Sequence, residues 1–320
     1  MKQCTDTVLL VRPAAFGYNA QTAATNAFQQ EQQTAVTATM ALEEFDGFAQ
    51  ALTNAGVMVV IVEDAAPPYR PDAVFPNNWV SLLHDGTLVL YPMCAPNRRA
   101  ERRADMIGML QTKFRITRTI DLSAYETEGK FLEGTGSIVF DHSARVAYAC
   151  SSPRTHKELF HTLAADLGYQ PIWFHATDTA GKEIYHTNVM MCIGAQFAVI
   201  CDEAIADPKE RAVVMESLKQ SGKQIVTITP YQMSCFAGNM LQLSTTAGRQ
   251  LLILSQTAYD CLHQHQLAIM SARATLLPVS IPVIETVGGG SARCMIAELF
   301  AQPLPAPNAM SLSDPETLPQ

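Results

Sequence analysis

Five short motifs recur along this 320-residue chain at nearly one period, and three of them carry side chains suited to thiol chemistry. PNNW presents Asn78, FLEGTG Glu133, YHTN His186, FAGN Asn239 and GGGSARC Cys294, at steps of 55, 53, 53 and 55 residues. A thiolate can attack an electrophilic carbon, and a histidine can give and take the proton. Cys294 follows three glycines, which let a backbone approach a ligand closely and aim the thiol into a cleft. Glu133 stands between apolar residues and glycines, where a buried carboxylate needs donors, a cation or water. Of eight histidines, only His186 is in phase with Cys294. A lone cysteine is usually structural, and a histidine beside an apolar strand is usually a satisfied core residue. The shared phase is what makes these residues a candidate active site.

A repeat of about 50 residues points to a propeller or array. Each unit reads as a helix, a strand, a loop with the special residue, and a hairpin of two strands. The helices are expected over about 36–55, 98–113, 154–167, 208–221 and 257–272, with apolar residues such as Met40, Leu42, Phe45, Phe48 and Leu52 near helical spacing in the first. VMVVIVE, RITRTIDL, QPIWFHA, QIVTITP and TLLPVSIPVIE supply the strands after them, and turns such as HDG close the hairpins. The fifth hairpin lacks its last strand, which the N-terminal run TVLLVRP can provide. The expected fold is therefore a five-bladed α/β propeller of ββαβ-type units around a pseudo-five-fold axis, formed by one catalytic domain over residues 1–302. Residues 13–35, small and polar, are candidates for a loop or lid over the site. The Pro-rich stretch 303–320 reads as a loosely attached tail.

Composition narrows the function. Hydrophobic residues make up 48% of the chain and charged ones 16%, with a net charge of −8 and no basic–aromatic cluster of the kind that binds nucleic acid. RRAERR, at Arg98–Arg103, reads as the exposed start of a helix. No stretch is long enough to span a bilayer, and the N-terminal apolar run is too short for a signal peptide. Eight cysteines without a CxxC pair argue against a zinc site or a disulfide frame. His263 and His265 read as surface residues. No phosphate loop and no metal constellation is legible, so no cofactor is expected, and no feature sets an oligomeric state. The expectation is a reduced, cytoplasmic protein acting on a small molecule.

These motifs resemble those of the guanidino-group modifying enzymes: arginine deiminases, dimethylarginine dimethylaminohydrolases and amidinotransferases. The ordered series RPAAFGYN, PDAVFPNNWVS, GKFLEGTGS, IYHTNVMMC, FAGNML and GGGSARCM most resembles the arginine-deiminase-related citrulline-utilisation hydrolases, over about residues 6–300. The resemblance implies the five-unit propeller, with Cys294 as nucleophile, His186 as acid/base and Glu133 as a ligand for substrate nitrogen. It implies that Asp72 meets the guanidino or ureido group, beside Asn78, Asn188 and Asn239. It also implies that Arg98 and Arg154 meet the substrate carboxylate.

Two departures from that pattern bear on the substrate. Asn78 stands where the dimethylargininase segment has a second carboxylate, and His186-Thr187-Asn188 replaces the His-x-Asp of arginine deiminases. A carboxylate only accepts hydrogen bonds, whereas an amide also donates. Losing a carboxylate also removes Coulomb attraction to a guanidinium worth about 1–4 kcal/mol per close pair. Both changes favour a neutral ureido group, so the expected reaction is hydrolysis of citrulline to ornithine, carbon dioxide and ammonia. The alternatives are an arginine deiminase or amidinotransferase acting on a guanidine, and a non-catalytic binding propeller.

Overall fold

The apolar runs of the sequence become the middle strands of five small sheets. In the computed structural model, which describes residues 1–31 and 35–305, each sheet has three strands. An inner strand pairs antiparallel with the middle one, and a helical crossover brings the outer strand back parallel to it. In chain order of their inner strands, the sheets are Val80–Leu82, Thr87–Leu90 and Arg118–Asp121; Val139–Asp141, Val146–Cys150 and Gln170–Phe174; Met191–Ile193, Phe197–Ile200 and Gln224–Thr227; and Leu241–Ser244, Gln250–Ser255 and Thr275–Val279. The fifth joins Ala297–Glu298 to Thr7–Arg12 and Met58–Glu63. The N-terminal strand thus closes the ring, with Val8 opposite Glu298 and Leu9 opposite Ala297. Middle strands are buried almost throughout because both faces are covered, which is why they read as unbroken apolar runs. Outer strands such as Met58–Glu63 are exposed at intervals.

Inner strands meet around the axis, and Gln3 bridges two of them by donating to the carbonyls of Phe140 and Ile193. The ββαβ unit is present, but its boundaries differ from the helix-first unit of the sequence. A parallel crossover requires the helix to lie between the strands it joins. Each strand after a helix therefore completes the preceding hairpin, and the special residue opens the next sheet.

Three helices also differ from their expected spans. The stretch expected over 98–113 divides into a 3-10 segment, Pro96–Glu101, and an α-helix, Ala104–Lys113. The chain leaves helical geometry at Arg102 and Arg103. The helix expected over 154–167 is Lys157–Asp166, capped by the His156 ring, which accepts the Leu159 N–H. The one expected over 257–272 breaks at extended Leu262 and His263 into Gln256–Cys261 and Gln264–Ser271. Ala35–Ala55 and Pro208–Gln220 lie close to their expected spans. His263 and His265 are exposed, as read. Residues 306–320 of the expected tail lie outside the described residues. No helix among the described residues is long and apolar enough to cross a membrane.

Leu9 is fully buried in the strand that closes the ring. Leu9→Ala is expected to cost about 2–5 kcal/mol and to lower the urea midpoint of a single transition. A separate early transition, with the other sheets still folded, would contradict closure by that strand.

Candidate active site

Each of the five phased residues sits a few positions before an inner strand, in or beside a short turn that brings it to one end of the axis. Asn78 ends the 3-10 turn Pro76–Asn78, and Glu133 and His186 precede the single turns Gly134–Ser137 and Thr187–Met190. The Asn239 N–H donates to Phe236 O at 2.8 Å, and the Cys294 N–H donates to Ser291 O at 2.9 Å. Close approach of these turns depends on glycine. A Cβ on Gly136 would lie 2.6 Å from Asn78 Nδ2 and 2.7 Å from His186 Nδ1. Gly289 has φ +64°, and a Cβ there would lie 2.5 Å from Asn26 Nδ2.

All five residues are buried, and four of them form two hydrogen-bonded groups. In the first, Glu133 Oε2 meets His186 Nε2 at 2.8 Å and Arg154 Nη1 at 3.5 Å, while Oε1 accepts the Cys94 N–H at 3.0 Å. These partners differ from the substrate nitrogen that the resemblance implies. Burial alone would raise the Glu133 carboxyl, but Arg154, His186 and Arg98 hold it well below the usual carboxylate range. Burial lowers the His186 ring to about 4 against the opposing pull of Glu133, with Arg154 and Arg98 lowering it further. At neutral pH the pair is therefore a carboxylate and a neutral imidazole. Glu133 has no proton to give, so Nε2 carries the hydrogen and Nδ1 keeps its lone pair.

The second group surrounds the thiol. Asn239 Nδ2 lies 3.3 Å from Cys294 Sγ and Asn188 Nδ2 lies 3.6 Å from it. Asn188 and Asn239 were expected at the substrate, and the structure puts their amides against the sulfur.

Arg98 and Glu101 correct the reading of RRAERR as a solvated face. Both are buried, and Arg98 Nε and Nη2 reach Glu101 Oε1 and Oε2 at 2.9 Å each. Arg98 Nη1 donates to Asn78 Oδ1 at 2.8 Å, and Nε lies 3.6 Å from Asp72. A planar guanidinium with five fixed donors suits such a junction. Arg154 is also buried. It donates to Thr22 O and Thr25 Oγ1, and it lies over the Tyr185 ring at 4.9 Å. Asp72 accepts from Asn19 at 2.7 Å; burial raises its carboxyl, and Arg98 and Asn19 pull it back.

Asp72, Asn78, Arg98, Arg154, His186 and Cys294 line one cavity of about 20 Å³, room for about one water. Thr22 and Asn26, from the segment read as a possible lid, also line it, with Phe75 and Tyr185. Sequence reasoning did not single out these residues individually. The signals were the small, polar make-up of 13–35, the place of Phe75 within PDAVFPNNWVS and the position of Tyr185 beside His186. Among the described residues no group of three or more His, Cys, Asp or Glu is placed to hold a metal ion.

A ring of five ββαβ sheets with Cys294, His186 and Asp72 at one cavity is the arrangement expected of the guanidino-group modifying superfamily. The family model described as N,N dimethylarginine dimethylhydrolase, eukaryotic, matches residues 12–301, and the chain belongs to that family. No curated protein sequence matches the chain.

Among solved structures it resembles ArgZ, an arginine dihydrolase of cyanobacteria, in the apo form, at TM-score 0.72 and 16% identity. That match covers 93% of this chain and 41% of ArgZ, so the chain spans less than half of that protein. The substrate-bound N-terminal domain of ArgZ also matches at TM-score 0.72 and 16% identity, over 92% of this chain and 99% of the domain. DDAH from Pseudomonas aeruginosa, complexed with citrulline, matches at TM-score 0.65 and 13% identity, over 93% and 100%.

Gly136→Ala is expected to push aside the His186 ring and the Asn78 amide. A misplacement on the order of 1 Å can cost about 100-fold in rate. The expected result is a fall of that size in kcat with near-normal melting; unchanged kcat would show that the glycine does not set their positions.

Proposed function

We propose that the protein is a cysteine hydrolase of a ureido group, acting most simply on citrulline and releasing ornithine, carbon dioxide and ammonia. The orientation of Asn78 carries this reading. Arg98 can only donate, so the oxygen of the Asn78 amide must face it, at 2.8 Å. The other end, Nδ2, is buried without a partner, and so is Asp72 Oδ1. One donor and one acceptor without a protein partner, on two residues of the cavity wall, suit the carbonyl oxygen and an N–H of a ureido group, and binding requires the wall to widen beyond its one-water volume. A guanidinium has no oxygen to accept from Asn78.

The chemistry follows from the neutral His186. Cys294 attacks the ureido carbon and its thiol proton passes to His186 Nδ1, with Glu133 balancing the imidazolium. Asn188 and Asn239 stabilise negative charge on the sulfur, and Asn78 supports charge growing on the oxygen. His186 then gives its proton to the ornithine nitrogen, the C–N bond breaks, and a carbamoyl thioester remains. A water loses a proton to His186 Nδ1 and attacks that thioester, and the same proton returns to the sulfur as the C–S bond breaks. The thiol is restored and carbamic acid leaves, falling apart to carbon dioxide and ammonia. In this account Glu133 orients the base and does not bind substrate. Arg98 and Arg154 remain the candidates for the substrate carboxylate, although much of each guanidinium is already engaged by the protein.

A guanidino substrate is the second reading. The buried carboxyls Asp72, Glu101 and Glu133 outnumber Arg98 and Arg154 three to two; burial raises Glu101 to about 7 against the pull of Arg98, and a bound guanidinium would favour its ionised form. ArgZ is described as an arginine dihydrolase, which also supports that reading. The small molecule is thus an amino acid bearing a ureido or guanidino group.

Acid quenching during turnover of citrulline is expected to trap one carbamoyl group on Cys294, seen by intact mass and absent from Cys294→Ser. An adduct retaining the ornithine skeleton, or turnover by the serine variant, would contradict the mechanism. Asn78→Asp removes the donor, and kcat/KM for citrulline is expected to fall by about 100-fold, with arginine gaining relative to it; unimpaired citrulline turnover would refute the role of the amide. Because the base must be neutral, the acid limb of kcat/KM is expected as pH falls through about 4, where His186 protonates, and not near the ordinary histidine value. A limb near 6.5 would contradict it.

A further inference from the structure

The loop that presents Cys294 is supported by two carboxylates with no part in the proposed chemistry. It begins with a π-helical turn, Ile284–Gly288, a geometry often found at functional sites. Glu44, on the helix Ala35–Ala55, accepts the N–H groups of Val283 and Ile284 at 2.9 Å each, where that turn begins. Glu285 lies within the turn and is buried. Its two oxygens accept from Ser291 Oγ at 2.6 Å and from Thr257 Oγ1 at 2.7 Å. Ser291 in turn accepts the Cys294 N–H through its carbonyl, at 2.9 Å.

Thr257 belongs to the crossover helix Gln256–Cys261 of the fourth sheet, so Glu285 joins that helix to the thiol-bearing loop. Burial raises the Glu285 carboxyl, opposed by the hydroxyls of Ser255, Ser291 and Thr257. A residue that only filled space there would be apolar, since an unpaired buried carboxylate is costly. Glu285 is also absent from the wall of the cavity that holds Cys294 and His186.

We propose that Glu285 is a positioning residue for Cys294: through Ser291 it fixes the Gly-rich loop so that the sulfur meets the amides of Asn188 and Asn239. The proposal rests on the reading of Cys294 as the nucleophile. Gln at 285 can still accept from one hydroxyl and donate to the other, whereas Ala can do neither.

The test combines a double-mutant cycle of Glu285→Ala and Ser291→Ala with the rescue variant Glu285→Gln, on the full chain. Each alanine variant is expected to lower kcat roughly tenfold at unchanged KM. The double variant is expected to match a single one, because residues in one network do not add. Glu285→Gln should stay near wild type. The rate at which iodoacetamide labels the Cys294 peptide should rise severalfold in both alanine variants and not in Glu285→Gln.

Multiplicative losses in the cycle, a Gln variant as impaired as Ala, or unchanged labelling would each overturn the proposal. If the wild type turned over neither citrulline nor arginine, the reading of the reaction would fail on its own. The labelling rates would still decide whether Glu285 places the thiol.

Discussion

The site depends on keeping ionised groups where water scarcely reaches them. Asp72, Glu101 and Glu133 are buried beside Arg98 and Arg154, and each carboxylate is held by a guanidinium within 4 Å. Removing one partner of such a set is expected to cost about 3–5 kcal/mol, because the remaining charge stays buried. The arrangement also fixes the states of neutral neighbours. Arg98 determines which end of the Asn78 amide faces the cavity. Arg154 and Arg98 help keep His186 neutral even though it touches a carboxylate. In this account the substrate preference follows from where Arg98 sits, and the availability of the base follows first from the burial of His186 and then from the two arginines.

The fold supplies what those contacts need. Five sheets, each entered through a short turn, converge their turns at one end of the axis. The turns come close because glycine occupies the crowded positions, as at Gly136 below His186 and Gly289 below Asn26. The thiol gains its donors from two neighbouring turns, Asn188 from one and Asn239 from the next. A side chain on one sheet thus meets partners about 50 or 100 residues away in sequence. The repeat period is the geometric rule that makes those meetings possible.

That rule was readable in the sequence, and so were the apolar middle strands and the closure by TVLLVRP, because period and hydrophobic run length survive without tertiary information. What was not readable concerns partners. RRAERR looks like a solvated face because charged clusters usually are. The resemblance pointed to Arg98 as a site residue, but its partners Glu101 and Asn78, and the loss of the start of the expected helix, are visible only in the fold. Pro153 and Arg154 likewise belong to a loop, since Arg154 reaches Thr22 and Thr25 of a segment more than 100 residues earlier. Glu133 needed a partner, as its apolar setting suggested, and the identity of that partner as His186 came from packing. The amide at 239 was legible as a polar member of the repeat and the one at 188 through the resemblance, and their direction toward sulfur was not.

The central claim is that a pinned amide makes this site prefer a ureido group to a guanidinium. The most direct measurement is the ratio of kcat/KM for citrulline to that for arginine in the wild-type protein, with ornithine, citrulline and ammonia quantified as products. Ornithine from citrulline and a ratio well above one are expected. A ratio below one, with arginine consumed at the higher efficiency, would contradict it and would mean that Asp72 and its fellow carboxylates outweigh the amide of Asn78.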